Sequence, residues 1–356
     1  MVILSTLQRA KVKENDEFHI QLEDVEHEMR YYRKHFKNKI VYLNCDNPYQ
    51  SDIFKYFALG FNFLRLKKLI VTCQKNEYNE KSYYVEIEQV QDLTGDGSIT
   101  MEDIWLSFDK NINKISELNG NGDYDSEECI EILKHSDIVI TTPPFSSIQR
   151  YITMLSEYDK QFIVLGNLNM ITYKNVFPLF MDKEIWFGVN NHRPKYFKVP
   201  NDTEYLNIEK IDNNGDKYVR LGNCYWVTNL DFRPKRDKMV LYQKYDKEFY
   251  PKYDNYNAIE VSKATDIPYD YTGVMGVPIS ILTNFDYDQF ELIGCSSVKE
   301  YTGIENYQLS NEFMSKYHAG RRYNNSTPRR SKPSYITTDG LARVCYHRLF
   351  IKNKSI

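Results

Sequence analysis

Thr142-Pro143-Pro144-Phe145 lies one residue beyond the short, largely apolar run Asp137 to Ile140. Two successive prolines remove two backbone donors and stiffen the chain, so this loop presents carbonyl acceptors and one aromatic face. Such a site suits a planar ligand bearing an amine: carbonyls accept its N–H bonds while Phe145 stacks on the ring. A second polar cluster, Asn44-Cys45-Asp46, ends another short run, Lys39 to Leu43. An acid just past a strand binds hydroxyls of a nucleoside ligand, with Asn44 beside it. On spacing alone Asp46 reads equally well as a turn and helix-capping residue.

Other constellations compete for chemistry. Asp92-Leu93-Thr94-Gly95-Asp96-Gly97, continuing to Glu102-Asp103, matches part of a calcium-binding EF-hand loop. That loop needs a helix on each side, yet Tyr84 to Glu88 alternates as a strand does, which favours a polar turn. His27-Glu28 lacks the second histidine of a zinc-protease helix. The six cysteines, Cys45, Cys73, Cys129, Cys224, Cys295 and Cys345, are far apart and carry no zinc spacing, so they read as reduced and structural. No metal site is expected.

The elements that must hold the two loops alternate between strand and helix. A polar helix spans about Glu23 to His35, then the Lys39 to Leu43 strand leads to a helix capped by Ser51 or Asp52. In that helix Phe54, Phe57, Ala58 and Phe61 fall at i, i+3, i+4 and i+7, and Lys68 to Cys73 reads as the next strand. Together these form a βαβ unit. A hairpin-forming insertion, Gln74 to Ser82, precedes the alternating Tyr83 to Val90. Helices at Ser126 to Lys134 and Ile148 to Tyr158 and strands at Phe162 to Leu165 and Ile185 to Val189 continue the alternation. Such a pattern implies a parallel sheet covered on both faces, with ligands at the carboxyl ends of its strands. Asn214-Gly215 reads as a hairpin turn with Cys224 to Leu230 as its returning strand. Spacing becomes irregular and tyrosine-rich from about Arg233, where a boundary is placed.

With 356 residues and 42% apolar content, the chain suffices for one large α/β domain plus a smaller unit. No apolar stretch of membrane-spanning length or signal-peptide type is present, so a cytoplasmic protein is expected. The net charge of −3 does not advertise a nucleic-acid binder. Its distribution is uneven: Arg321, Arg322, Arg329, Arg330, Lys332, Arg343, Arg348, Lys352 and Lys354 stand against Asp339 alone. That segment reads either as a solvated tail or as a phosphate-contacting arm with interleaved Tyr323, Tyr335 and Tyr346. Lys67-Lys68 and Lys235-Arg236 read as solvated faces.

The strand followed by Pro-Pro-Phe resembles the catalytic motif of amino-methyltransferases, and further stretches narrow this to the EcoRI-type adenine-specific DNA methyltransferase family. They are Asp16-Glu17-Phe18, Tyr31-Tyr32 through Asp46, Phe54 to Phe57, Gly120-x-Gly122-Asp123 before Glu128-Cys129-Ile130, Gly166-Asn167 and Ile171 to Lys174. Trp226 to Asp231 and Met275 to Ile279 extend the similarity over most of the chain.

The resemblance implies an α/β, Rossmann-like fold dependent on S-adenosylmethionine, with a C-terminal target-recognition region. Residues 1–36 would be a helical segment contributing to the cofactor pocket, 37–235 the catalytic domain and 236–356 the recognition region with its basic tail. It places the cofactor against Phe18, the Asn44 to Asp46 loop and Asp123, with Asp123 reading the adenine end. Thr142, Pro143, Pro144 and Phe145 would be catalytic, residue 142 and the Pro143 carbonyl accepting the hydrogens of the target amine. Arg321, Arg322, Arg329, Arg330 and Lys332 would contact double-stranded DNA, in a restriction-modification setting. Base flipping follows, because a duplex hides the exocyclic amine. Two departures stand out: Thr142 replaces the family Asn, and His19-Ile20 replaces a Tyr-Thr pair. They leave open an adenine-N6 enzyme, one acting on another amine such as cytosine N4, and a silent binding relative.

Overall fold

A computed structural model describes residues 19–44, 46–75, 81–190, 195–199, 208–231, 238–319 and 327–354. The chain divides into two compact units: Met1–Asn167 with Phe187–Arg233, and Leu168–Trp186 with Pro234–Ile356. No helix among the described residues is long and apolar enough to cross a membrane.

The first unit is built on an eight-stranded mixed sheet. Its strands are β2 (Ile40–Leu43), β3 (Lys68–Cys73), β4 (Tyr83–Ile87), β5 (Lys114–Glu117), β6 (Ile138–Thr141), β7 (Gln161–Asn167), β8 (Trp186–Phe187) and β12 (Cys224–Thr228), in the order β5-β4-β3-β2-β6-β7-β12-β8. β3, β2, β6 and β7 run parallel, whereas β4, β5 and β12 join antiparallel. The chain fills the sheet outward from β2, first through β3 and later through β6. The β2–β6 boundary is therefore a topological switch point, where diverging loops leave a crevice at the carboxyl ends of the strands. Asp137 fixes the opposite end: its Oδ2 accepts from the Ile40 amide at 2.8 Å while Lys39 pairs with Oδ1 at 3.1 Å.

The helix after β2, Asp52–Leu59, has Ser51 as N-cap, its Oγ accepting from the Phe54 amide at 3.0 Å. Phe54, Phe57 and Ala58 are fully buried and Phe61 nearly so, as their spacing requires. Each large apolar side chain so buried contributes about 1.5–3 kcal/mol.

Four readings are corrected. The expected continuous N-terminal helix is two pieces, Leu22–Met29 and Arg33–Phe36. Tyr31 and Tyr32 turn back onto Glu28 and Met29 carbonyls three residues away, and the Tyr32 hydroxyl donates to buried Glu28 at 2.8 Å. The Asn214-Gly215 hairpin exists, joining β10 (Ile208–Ile211) to β11 (Lys217–Leu221), with Gly215 at φ 85°. Cys224–Thr228 is not its returning strand; it pairs with β7, burying Trp226 and Val227. The strand expected at Ile185 to Val189 shrinks to Trp186–Phe187, because Glu28 captures the Val189 and Asn190 amides at 3.0 and 2.7 Å. Lys68, read as a solvated face, pairs with Glu86 and Glu88 at 3.1 and 2.6 Å.

β11 also belongs to a small antiparallel sheet of order β1-β9-β11-β10, with β1 at His19–Ile20 and β9 at Lys195–Val199. The Asp92 loop lies between strand β4 and helix Met101–Asp109 rather than between two helices. Asp92 accepts from the Gly95 and Gly97 amides, and Asp103 from Leu93, Thr94 and Thr100. These bonds make it a polar turn and helix cap.

The second unit holds a sheet of β13 (Ile259–Glu260), β14 (Met275–Pro278), β18 (Arg348–Asn353) and β15 (Phe290–Cys295), plus the hairpin β16 (Ser334–Ile336) and β17 (Ala342–Val344). Buried Phe350 packs with Tyr253 and Tyr256. The tyrosines that made this region unreadable in sequence are partly its core.

Candidate active site

The two loops of interest leave adjacent parallel strands. Asn44, 1% exposed, follows β2 directly, and its carbonyl accepts from Thr141 Oγ1 at 2.8 Å. Thr141 is the last residue of β6, so this bond ties the floor of one loop to the root of the other. Behind them, Tyr42 OH and Thr72 Oγ1 lie 3.0 Å apart, and the Asp46 amide donates to the Thr72 carbonyl at 2.9 Å. Asn44 and Asp46 are thus held by β3 and β6 as well as by their own strand.

Asp46 accepts from Ser51 Oγ, the same hydroxyl that caps the Asp52–Leu59 helix. Burial pushes its carboxyl up to about 7, against the opposing pull of the Ser51 hydrogen bond. The next residue, Asp52, accepts from the Leu22 amide at 2.9 Å, which brings the segment after His19-Ile20 to this helix end.

Gly122, at φ 76°, sits against the end of β3; an added Cβ would lie 2.9 Å from the Cys73 carbonyl. That close approach and the Lys75 amide bond to the Asn121 carbonyl at 3.1 Å set Asp123 beside the carboxyl end of β3. One Asp123 oxygen accepts from the Tyr124 amide at 2.7 Å.

In the Thr142 to Phe145 loop, Pro143 is buried, Thr142 and Phe145 are half-buried and Pro144 is exposed. Phe145 packs against the core of this unit. The Pro144 carbonyl is used by Ser147, whose amide and hydroxyl donate to it at 2.9 and 3.0 Å. Among the described residues no donor reaches the Thr142 hydroxyl or the Pro143 carbonyl, which leaves both as acceptors beside an aromatic face.

Asn44, Asp46, Asp123 and the Thr142 to Phe145 loop therefore gather at the carboxyl ends of β2, β3 and β6. Phe18, Cys45, Arg321, Arg322 and Arg233 to Arg236 (apart from Arg233's place at a unit boundary) lie outside the described residues. Arg329 and Arg330 are exposed and Lys332 half-buried, all in the second unit. The sequence reading missed Tyr42, Thr72 and Thr141, and Ser51, expected as a helix cap, also holds Asp46. Thr72 and Thr141 carried a signal, as polar residues near the carboxyl ends of otherwise apolar strands. Thr141→Val keeps the shape but removes the donor to Asn44, so kcat is expected to fall about tenfold with folding retained. Steady-state kinetics beside a thermal melt checks this.

A switch-point crevice with an acid on one lip and Pro-Pro-Phe on the other defines an α/β, Rossmann-like methyltransferase. The family model described as "Adenine-specific methyltransferase EcoRI" matches residues 6–354. Type II methyltransferase M.EcoRI of Escherichia coli is 43% identical over 299 residues, covering 81% of this chain and 88% of that protein. Type II methyltransferases M.MgeORF184P of Mycoplasma genitalium and M.MpnI of Mycoplasma pneumoniae are each 36% identical, covering 81% of this chain and 85% and 84% of those proteins. The chain belongs to the EcoRI-type adenine-specific methyltransferase family.

Proposed function

We propose that this protein transfers a methyl group from S-adenosylmethionine to the N6 amine of an adenine flipped out of duplex DNA. The observation that carries the reading is the Thr141–Asn44 bond, which sets the Pro-Pro-Phe loop against the acidic loop across the switch point. The donor set fits the cofactor: Asp46 offers a carboxylate to a cationic ligand or its hydroxyls, and Asp123 a second acceptor beside β3. S-adenosylmethionine supplies an electrophilic methyl group on a sulfonium.

The chain's own residues do the rest by positioning. The Pro143 carbonyl and Thr142 Oγ1 accept the two amine hydrogens, which turns the nitrogen lone pair toward the methyl donor. Phe145 stacks on the flipped base, an interaction of about 1–3 kcal/mol. The basic residues of the second unit supply phosphate contacts. Thr142 favours a second reading, cytosine N4, since a hydroxyl in place of the family amide changes the acceptor geometry.

Incubating the full chain with labelled cofactor and duplex DNA, then separating the nucleosides, tests both. Label is expected in N6-methyladenine. Label confined to N4-methylcytosine would select the second reading, and no label at all would overturn both.

A further inference from the structure

The loop that carries Asp123 is tied to more than the helix it leads into. On one side the Glu128 carboxylate, in helix Glu127–His135, accepts from the Gly120 amide at 2.8 Å and from Asn119 Nδ2 at 3.1 Å. The Asp123 carbonyl accepts from the Ser126 amide at 3.0 Å, and Ser126 caps that helix. These bonds are local and would serve any tight turn.

The other side is held by an element more distant in sequence. Arg150 stands in helix Ile148–Glu157, which follows the Thr142 to Phe145 loop, and its guanidinium pairs with the Asp125 carboxylate. The same guanidinium lies 5.9 Å from the Tyr124 ring centroid. Tyr124 in turn meets buried Tyr151 edge-on, with centroids 5.1 Å apart and planes at 75°. Arg150 and Tyr151 thus grip the two residues directly after Asp123, one through charge and the other through a ring. As a fold stabiliser the ion pair is poor, because Arg150 is 73% exposed and such pairs add little. What it fixes is direction: a planar guanidinium set on a carboxylate and an aromatic face leaves the loop few orientations.

The Thr141–Asn44 bond joins the roots of the loops after β6 and β2. Arg150 and Tyr151 join the third loop, after β5, to the helix that leaves the Pro-Pro-Phe loop. Methyl transfer is sensitive to displacements of about 1 Å, which can cost about a hundredfold in rate. A clamp between the loop assigned to the cofactor and the element assigned to the amine therefore acts on the reaction more than on the fold.

We propose that Arg150 is a positioning residue: through Asp125 and Tyr124 it presets the Asp123 loop for S-adenosylmethionine and fixes it relative to the Thr142 to Phe145 loop. The inference rests on the cofactor and target assignments made under the proposed function.

Calorimetry of S-adenosylmethionine binding to the full chain without DNA, paired with single-turnover transfer to duplex, tests it. Arg150→Gln is expected to weaken cofactor binding by about tenfold, since the loop must then be ordered on binding. Transfer at saturating cofactor is expected to slow by about a further tenfold, with duplex affinity and melting temperature kept. Asp125→Asn is expected to do the same, and the double variant to lose no more than either alone. Exchange of the pair, Arg150→Asp with Asp125→Arg, is expected to recover part of the loss, and it keeps the test readable where a single variant melts early. The proposal is overturned if Arg150→Gln retains wild-type cofactor affinity and rate, or if the two single losses add in the double variant. It is also overturned if Arg150→Gln weakens duplex binding alone, which would make Arg150 a phosphate contact. A wild type that binds the cofactor but transfers nothing to DNA sinks the DNA reading, while the calorimetric effect of Arg150→Gln still decides this one. A wild type that binds no cofactor overturns both.

Discussion

Thr142→Asn is expected to raise methyl transfer to duplex DNA by about 5- to 150-fold in single-turnover experiments, the rate equivalent of one recovered hydrogen bond worth about 1–3 kcal/mol. The basis is local. The Thr142 hydroxyl is committed to nothing else among the described residues, so a new side chain there breaks no existing bond. An asparagine carbonyl projects one atom further than a threonine hydroxyl and has no proton of its own to place. Both properties favour accepting an amine hydrogen in line with the neighbouring Pro143 carbonyl. The second departure from the family, His19-Ile20, is of another kind: Ile20 is 3% exposed and belongs to the core, in a strand paired with Lys198 and Phe197. A rate that fails to rise would place the defect at that strand, or show that Thr142 serves a different base. Nucleoside analysis of the product separates those two outcomes.

The two candidate loops were legible in sequence because each follows a short apolar run at a point where prolines or acids break the pattern. Phe54, Phe57, Ala58 and Phe61 likewise announced their helix through spacing, and the structure buries all four. What sequence concealed was long-range. Cys224–Thr228 looks like a hairpin partner for the strand just before it, but its destination is β7, some sixty residues earlier in the chain. Strand pairing at that distance is decided by which apolar face completes the core, and local pattern carries no information about it. The Thr141–Asn44 bond spans 97 residues and is invisible for the same reason. The C-terminal region failed differently: its irregular, tyrosine-rich spacing gave no periodic pattern, because tyrosines such as Tyr253 and Tyr256 are at once core and hydrogen-bonding groups.

Asp46 supplies the second large effect, a pH dependence with a definite sign. Its folded carboxyl titrates at about 7 because burial disfavours the charged form. An unfolded aspartate titrates at about 3.9. Between those values the folded, ligand-free chain holds the extra proton, so the stability contributed is complete below the unfolded value and is lost as pH rises through about 7. Asp46→Asn removes that loss, and its melting temperature is expected to exceed wild type at pH 8, with the difference closing as pH falls towards about 4. Binding of a cationic cofactor runs the opposite way, since the ionised carboxylate is the better partner and the proton must leave. Affinity for S-adenosylmethionine is therefore expected to fall as pH drops below about 7, by at most about tenfold per unit. The same variant should bind weakly at every pH with a flat profile. Calorimetry in buffers of different ionisation enthalpy reads the released proton directly. A wild-type affinity independent of pH between 5 and 8 would mean that Asp46 faces the helix cap alone, with Ser51 as its only purpose.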